Sequence, residues 1–368
     1  MSIAKHNADN ERTKRRYFAH LAGAHGRDEA TIDGVAKSLA RFEEYTRARD
    51  FRRFRPEQAM GFRERLAEQR NARTGERLAK ATMLSTLRDL RAFFFWLADQ
   101  PGFKSRMVHS DADYFRLSEK DETIARARRE KVVPTLAQVQ RVLQAMPMAT
   151  AQERRDRALI AFAAITGARV NALASFQLGH VNLVGGYVEQ DARVVRTKFA
   201  KTFRTFFMPG CDGAWQIVEA WTGELERDHL WGPADPLFPA TLTGLDANGC
   251  FAAQGLARHG WANTDPIRDI FRGAFALADL PYHNPHSFRD MLVRHAMQLD
   301  LSPEEMKAWS QNLGHADVLT TFTSYGAVPV HRQGDLIRSA GARRAGSGID
   351  DGTLISELVK RLGKGRQR

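Results

Sequence analysis

Apolar residues recur every three or four positions between residues 76 and 98, a pattern typical of one face of an α-helix. The repeating residues are Met83, Leu87, Leu90, Phe94 and Leu97. Pro101 and Gly102 follow and are expected to stop the helix. We interpret the aromatic run Phe93–Trp96 as core rather than as a platform for base stacking, because it lies in the most apolar helix. The same periodicity elsewhere favours a mainly α-helical fold.

The N-terminal third contains two further helical patterns. Residues 29–46 carry a one-sided apolar stripe, and Pro56 suits the first turn of another helix. Short helices at this density predict a compact bundle, which we place at residues 28–110. Residues 1–27 are polar and basic and predict a flexible arm, and the polar residues 111–133 predict a linker.

A second domain is expected at residues 134–340. Thr135 can cap a helix, and residues 153–166 predict a buried helix that ends at Gly167. The β-prone runs Val194-Val195 and Phe203–Met208 predict a small antiparallel hairpin. Further helices are predicted at residues 212–227, 264–279, 287–299 and 302–311, before a loose basic tail at 341–368. The predicted fold class is therefore mainly α with a small antiparallel β-sheet.

Charge indicates the kind of partner. The chain has 368 residues and a formal net charge of +12, which favours an acidic polymer, nucleic acid first. Most of the excess lies in residues 1–133. Exposed faces of the predicted bundle hold the candidate DNA-binding residues Arg52, Arg53, Arg55, Lys80 and Arg88.

The sequence predicts neither a membrane-spanning helix nor a framework of disulfide bonds. The longest apolar run, Ala158–Ile165, is too short to span a bilayer, and the polar N-terminus is unlike a secretory signal. Cys211 and Cys250 are too few for a disulfide framework or a zinc site of their own. A cytoplasmic protein is the expectation.

Four short motifs carry side chains suited to chemistry on a phosphodiester. They are Thr166-Gly167-Ala168-Arg169, His286-Ser287-Phe288-Arg289, Leu313-Gly314-His315 and Thr320-Thr321-Phe322-Thr323-Ser324-Tyr325. Arg169 and Arg289 are each expected near a helix end, where a guanidinium group can reach into a cleft and clamp phosphate oxygens. Each motif is common by itself. Their joint order points to one site.

The other groups can supply the nucleophile and the proton transfers. Tyr325 is the candidate nucleophile, because nearby arginines favour its phenolate. The 5′ oxygen of deoxyribose leaves poorly unless a general acid protonates it. A lysine in the hairpin turn suits this role, and both Lys198 and Lys201 are candidates. His286 and His315 can donate to phosphate oxygens or move the tyrosine proton.

This order of motifs resembles that of the tyrosine recombinases, the phage-integrase family, over roughly residues 28–340. The resemblance implies an N-terminal SAM-like helical core-binding domain and a mixed α/β catalytic domain. It implies Arg169 and Arg289 as the phosphate clamp, His286 and His315 as the two histidines, and Tyr325 as nucleophile. The family's lysine precedes an Arg and a Pro, here Arg204 and Pro209, which favours Lys198 and leaves Lys201 open. Lys201 and Arg204 complete the candidate DNA-binding residues.

The resemblance also implies a mechanism and partners. Expected are a covalent 3′-phosphotyrosyl intermediate, no metal and no nucleotide cofactor, and double-stranded DNA held by a homotetramer that can be monomeric when free. It leaves room for accessory DNA-bending proteins and favours an integrase of a mobile element, acting in the bacterial cytoplasm on the nucleoid.

Three departures from the family pattern stand beside the match. Ala172 occupies a position that is often acidic, and Asp290 occupies one that is often His. The interval from His315 to Tyr325 is one residue longer than the commonest. The alternatives are a type IB topoisomerase-like enzyme or telomere resolvase, and a catalytically silent DNA-binding protein on the same scaffold.

Overall fold

The computed structural model describes residues 6–71, 74–127, 132–299 and 301–315. Contacts divide the chain into two units, Met1–Arg128 and Arg129–Arg368. The predicted mainly α-helical class with a small antiparallel sheet is confirmed. Within the described ranges, no helix is long and apolar enough to cross a membrane. Tyr325 and the predicted tail at 341–368 lie outside them.

The first unit is a helical bundle around an aromatic core. Its helices are α1 (Ala8–Gly23), α2 (Glu29–Thr46), α3 (Pro56–Glu68), α4 (Lys80–Ala98) and α5 (Glu119–Arg126). Phe42 and Phe94 are fully buried and meet edge to face, with ring centroids 5.4 Å apart. Phe93 and Phe94 thus serve as core, whereas Phe95 of the same run is 48% exposed.

Helix α1 differs from the flexible arm predicted at residues 1–27. Tyr17 is buried and packs against the rings of Phe93 and Trp96. Asn10 is also buried; its amide donates to the carbonyl oxygen of Arg49 at 3.0 Å and accepts from the backbone N–H of Phe51 at 3.0 Å. Residues 1–27 suggested a flexible arm because many of them are polar. Some of these polar side chains are in fact buried, and their hydrogen bonds help to hold the helix in place.

The predicted linker at residues 111–133 also differs in its first half. A 3-10 turn at His109–Phe115 and helix α5 pack against α4, and Phe115 is completely buried. Lys80 at the start of α4 pairs with Asp121 of α5 at 3.0 Å. One buried aromatic side chain is enough to order a stretch whose composition is otherwise polar.

The second unit surrounds one buried helix. Its helices are α6 (Leu136–Ala145), α7 (Ala151–Thr166), α8 (Val170–Leu173), α9 (Ala214–Arg227), α10 (Asp265–Leu277), α11 (Pro285–Ala296) and α12 (Pro303–Asn312). Thr135 caps α6, as the sequence predicts, by accepting from the N–H of Gln138 at 3.1 Å. Residues 158–166 of α7 are all buried. This apolar run, too short for a bilayer, is the centre of the core.

Two small antiparallel sheets accompany the helices. Strands β1 (Val181–Asn182), β2 (Tyr187–Gln190) and β3 (Phe203–Phe206) form one sheet in that order, and β4 (Thr241–Leu245) pairs with β5 (Phe251–Leu256). The sequence prediction was wrong for Val194-Val195, which lies in the connection between β2 and β3. Val195 is buried in that connection, where its side chain packs in the core, and it does not pair with a neighbouring strand.

The β4–β5 hairpin was not predicted. Its strands contain few β-branched residues, so the usual composition signal is absent. The connecting residues Asp246-Ala247-Asn248-Gly249 were a usable signal, because Asn-Gly favours a turn with positive φ. In the structure Gly249 has φ 73° and Asp246 donates its N–H to the carbonyl oxygen of Cys250 at 2.8 Å.

Candidate active site

Arg289 is the buried centre of the candidate site. It lies in the second turn of α11, a helix capped by Asn284 and opened by Pro285. Its side chain is almost fully buried, with 3% of the residue exposed. Nη1 donates to the carbonyl oxygen of Gly167 at 2.6 Å, and Nη2 donates to that of Leu313. These carbonyls lie at the C-terminal ends of α7 and α12, where the helix dipole favours a cation.

Gly167 brings the first arginine to the same place. It ends α7 with a left-handed φ of 57°, a conformation that glycine adopts without strain. A Cβ here would lie 2.9 Å from side-chain atoms of Leu292 and Leu313, so the turn also requires a residue without one. Two residues later Arg169 is the N-cap residue of α8 and is half-buried.

The two guanidinium groups influence each other electrostatically. Burial is the largest cause that lowers the pKa of Arg289, and the charge of Arg169 lowers it further, to about 9, against the opposing charge of Asp290. Burial also lowers the pKa of Arg169. Arg289 remains protonated at neutral pH. Two neighbouring cations whose charge is only partly offset by Asp290 make a pocket that favours binding an anion.

His315 adds an imidazole to this pocket. Its Nε2 lies 3.3 Å from Nη2 of Arg289. Because arginine can only donate, Nε2 is the acceptor and the ring proton of the neutral histidine is on Nδ1. Burial, then the charges of Arg289 and Arg169, lower the pKa of His315 to about 4, so the ring is neutral at pH 7.

His286 completes the group of predicted site residues in the described ranges. It lies in the first turn of α11 and is exposed. The charge of His286 contributes to the lowered pKa of His315, so the two imidazole rings are close enough to interact electrostatically. The structure thus brings together Arg169, His286, Arg289 and His315. Tyr325 falls ten residues beyond the last described residue.

The edge of strand β3 holds the Leu313-Gly314-His315 turn in place. The side-chain amide of Asn312 pairs with both backbone groups of Phe206, in the way that a neighbouring strand pairs. Its oxygen accepts from the N–H of Phe206 at 2.6 Å, and its nitrogen donates to the carbonyl oxygen of Phe206 at 2.8 Å. Thr205 donates to the carbonyl oxygen of Asn312 at 3.0 Å. Gly314, at φ 68°, lies so close to Phe203 that a Cβ would be 2.6 Å from the ring.

Both candidate lysines lie in the connection between β2 and β3. Lys198 and Lys201 are exposed and flank a tight turn in which Phe199 and Ala200 have φ values of 62° and 48°. The ammonium group of Lys198 lies 4.7 Å from the ring centroid of Phe199. Both lysines thus lie between two paired strands, and the role of either as general acid stays a prediction.

Two of the three departures, Ala172 and Asp290, have different surroundings, and the third, the interval from His315 to Tyr325, extends outside the described residues. Ala172 is buried in α8 with 1% of its surface exposed, so it packs in the core. Asp290 is buried on α11, and its negative charge raises the pKa of both Arg289 and His315. Asp290 is therefore a buried carboxylate close enough to both groups to oppose the lowering of their pKa values.

Two features of the site region were missed from the sequence. A second Leu-Gly-His, Leu178-Gly179-His180, precedes β1, where Nδ1 of His180 accepts from the backbone N–H of Gln177 at 2.9 Å. The structure puts only the copy ending at His315 beside Arg289. The second missed feature is Arg196, whose side chain joins three segments of the unit. No pattern of neighbouring residues marks it.

The predicted DNA-binding residues differ in their surroundings. Arg52 pairs with Asp9 at 3.1 Å, and Arg204 pairs with Glu189 and stacks 3.9 Å over the ring of Tyr187. Arg88, Arg53, Arg55 and Lys201 are exposed. No group of three or more potential metal ligands occurs in the part of the chain that the structure describes.

Several solved structures share this fold. A lambda integrase(75-356) dimer bound to a COC′ core site is 12% identical at a TM-score of 0.57, covering 87% of this chain and 99% of that one. The Tn1549 transposon integrase in complex with a circular intermediate DNA is 13% identical at 0.55, covering 89% and 98%. XerH site-specific recombinase bound to a palindromic difH substrate is 15% identical at 0.55, covering 90% and 82%.

These likenesses establish the fold. The chain has the fold of the tyrosine recombinases and integrases. No protein-family model and no curated protein sequence matches it.

Proposed function

We propose that this protein is a site-specific DNA recombinase, an integrase of a mobile element, that cleaves and rejoins strands through a covalent 3′-phosphotyrosyl intermediate. The observation that carries the proposal is the convergence of Arg169, Arg289 and His315 on one cationic pocket. A pocket of this kind suits the extra negative charge of a pentacoordinate phosphorus. The shared fold supports it.

Arg289 has donors to offer an anion. A guanidinium group has five N–H bonds. Three of those of Arg289 point to the carbonyl oxygens of Gly167 and Leu313 and to His315. Within residues 132–299 and 301–315, the N–H at Nε and the second one at Nη1 meet no protein acceptor. They can hold one non-bridging phosphate oxygen while Arg169 holds the other.

The proposed reaction conserves bonds and protons. The phenol oxygen of Tyr325 attacks phosphorus as the P–O5′ bond breaks, and Lys198 gives a proton to the departing 5′ oxygen. The phenol proton goes to neutral His286, or to Nε2 of neutral His315 once the bound phosphate has drawn Arg289 away from it. A bound phosphate offsets the two arginine charges, so the pKa of His315 rises and its basicity with it. Attack by a 5′ hydroxyl of the partner strand reverses these steps.

The proposal also covers the assembly of the protein on DNA and its location in the cell. Two duplexes are recombined by a homotetramer on DNA, assembled from chains that can be monomeric when free. Accessory DNA-bending proteins can assist, and the reaction takes place in the bacterial cytoplasm on the nucleoid. Because arginine, lysine and histidine supply the charge and the proton transfers, a chelator should leave the rate unchanged.

Covalent capture tests the proposal and finds the DNA site in the same experiment. The full chain is incubated with nicked fragments of the DNA that flanks its own gene, and detergent-resistant protein–DNA adducts are recovered and sequenced. We expect adducts at one sequence, attached through Tyr325. Tyr325→Phe should bind the recovered site and form no adduct. Tyr282→Phe, which replaces a tyrosine 42% exposed on the same unit, is the matched control and should react normally.

Two other outcomes distinguish the alternatives. Binding with steep salt dependence but no adduct from any fragment supports the catalytically silent protein. Relaxation of supercoiled plasmids irrespective of sequence supports the topoisomerase-like enzyme. An adduct that persists in Tyr325→Phe moves the nucleophile elsewhere and contradicts the mechanism.

A further inference from the structure

Arg196 makes an unusual set of contacts for an arginine with an exposed side chain. Nη2 donates to the carbonyl oxygens of Ala174 at 3.1 Å and Trp261 at 2.8 Å, and Nη1 donates to that of Ala262 at 3.1 Å. Its own backbone N–H donates to Oγ of Ser175 at 2.9 Å. Four hydrogen bonds thus fix one residue of the β2–β3 connection to two distant segments.

These contacts join the lysine turn to the first arginine. Ala174 ends the short helix α8, whose N-cap residue is Arg169. Arg196 precedes Lys198 by two residues in the sequence. The guanidinium group of Arg196 therefore ties the segment that carries Lys198 to the far end of a single helical turn that begins at Arg169.

Apart from Arg196, local hydrogen bonds order the start of the connection, where the backbone N–H groups of Val194 and Val195 donate to the carbonyl oxygen of Asp191 at 3.0 and 2.7 Å. Val195 is its buried apolar residue, whereas Phe199 is 78% exposed. Phe199 and Ala200 both have left-handed φ values, which side chains other than glycine adopt at a cost. A segment with few apolar contacts and a strained turn depends on its hydrogen bonds for a fixed conformation.

We infer that Arg196 is a positioning residue that holds Lys198 in the orientation needed to protonate the leaving 5′ oxygen. This inference rests on the proposed function. Arginine suits the role because its planar fork reaches three carbonyl oxygens at once, whereas the single ammonium group of a lysine cannot reproduce that geometry. The hydrogen bonds of Arg196 to described residues go to Ser175 and to the carbonyl oxygens of Ala174, Trp261 and Ala262, and none of these groups is a predicted site residue.

A substrate whose leaving group needs no proton can show whether Arg196 positions the proton donor Lys198 or only stabilises the fold. Cleavage is measured on the site recovered by covalent capture, with either oxygen or sulfur at the scissile 5′ bridging position. For Arg196→Ala we expect a roughly 10- to 100-fold slower cleavage of the oxygen substrate, as for a displaced proton donor. The sulfur substrate should be cleaved within about threefold of the normal rate, because a thiolate leaves without protonation.

Three further variants sharpen the result. Arg193→Ala is the matched control: Arg193 lies in the same connection, 87% exposed at its side chain, and pairs only with Asp191 among the described residues. It should cleave both substrates normally. Arg196→Lys should behave like Arg196→Ala. Adding Arg196→Ala to Lys198→Ala should slow the oxygen substrate no further, since both changes remove one proton transfer.

A structural readout keeps the inference testable apart from the chemistry. Hydrogen exchange of the full chain should show faster exchange in residues 191–202 for Arg196→Ala than for Arg193→Ala, with the helices unchanged. If the unaltered protein forms no adduct, the proposed function fails while this measurement still reports on the contacts. Unchanged exchange, or a cleavage defect that sulfur does not relieve, overturns the inference. So does a reduced salt dependence of DNA binding, which would make Arg196 a phosphate contact.

Discussion

His315 should report an anion that enters the pocket between the two arginines. In the free protein its pKa is lowered from 6.5 to about 4, by burial first and then by Arg289 and Arg169, while Asp290 opposes them. Sulfate keeps two negative charges between pH 5 and 7.5, so it mimics a phosphate without titrating. Bound sulfate should offset the arginine charges and raise the pKa of His315. By linkage, sulfate should then bind more tightly as the pH falls.

The magnitude follows from the two pKa values. Affinity changes by (1 + 10^(pKa bound − pH)) / (1 + 10^(pKa free − pH)). Full recovery to about 6.5 gives an upper limit of roughly 30-fold between pH 7.5 and pH 5. Burial, the largest cause, persists when sulfate binds, so a bound pKa of about 5.5 to 6 is more realistic and gives about 4- to 10-fold.

The assay follows the imidazole signals of histidine-labelled full-length protein during sulfate titrations at several pH values. His286 is exposed nearby, so the titrations use a His286→Gln background to remove its own protonation. Adding His315→Gln should abolish most of the pH dependence while sulfate still binds. Equal pH dependence with and without His315, or a sulfate-free His315 signal that titrates near 6.5, would refute the electrostatic reasoning.

Three other predictions concern the same unit. Gly314→Ala should lower the free energy of unfolding by about 1–3 kcal/mol and abolish adduct formation, because the new Cβ would meet Phe203 at 2.6 Å and φ is 68°; a thermal melt like that of the unaltered protein would contradict this. Asn312→Ala should cost about 1–3 kcal/mol, since both backbone groups of Phe206 lose their partner, as denaturant unfolding would reveal; equal midpoints would count against it. For His315 the folded pKa lies below the unfolded value, so the unfolded chain takes up the proton first as pH falls from 6.5 to about 4. Stability should therefore fall with pH across that window, by about 1–2 kcal/mol after allowance for solvent screening, and His315→Gln should reduce the slope in chemical denaturation.

The sequence predicted the elements that local chemistry determines. Thr135 caps its helix, Gly167 ends the buried helix, and Pro285 opens the helix that carries Arg289. Each depends on a backbone preference expressed within one or two turns. The convergence of Arg169, Arg289 and His315 came from the order of motifs, and the structure supports it with contacts between residues far apart in the chain.

What the sequence did not predict depends on contacts between distant residues. The carbonyl oxygens bound by Arg196 come from residues up to 66 positions away, and backbone acceptors have no sequence signature. The strand-like pairing of Asn312 with Phe206 spans 106 positions. Helix α1 was missed because buried Asn10 and Thr13 look like surface residues until their partners are known. In each case a polar group is fixed by a partner that composition does not reveal.

Arg289 has a consequence for how related sequences are interpreted. It joins the ends of two helices through the carbonyl oxygens of Gly167 and Leu313, deep in the core of the unit. Losing it would leave those acceptors without a donor, so selection for a folded domain alone would retain it. Under the proposed function, a descendant that had lost strand exchange would therefore keep this arginine after Tyr325 and Lys198 had changed. If the proposed function holds, retained activity is better judged from the exposed Lys198 and from Tyr325 than from the buried Arg289.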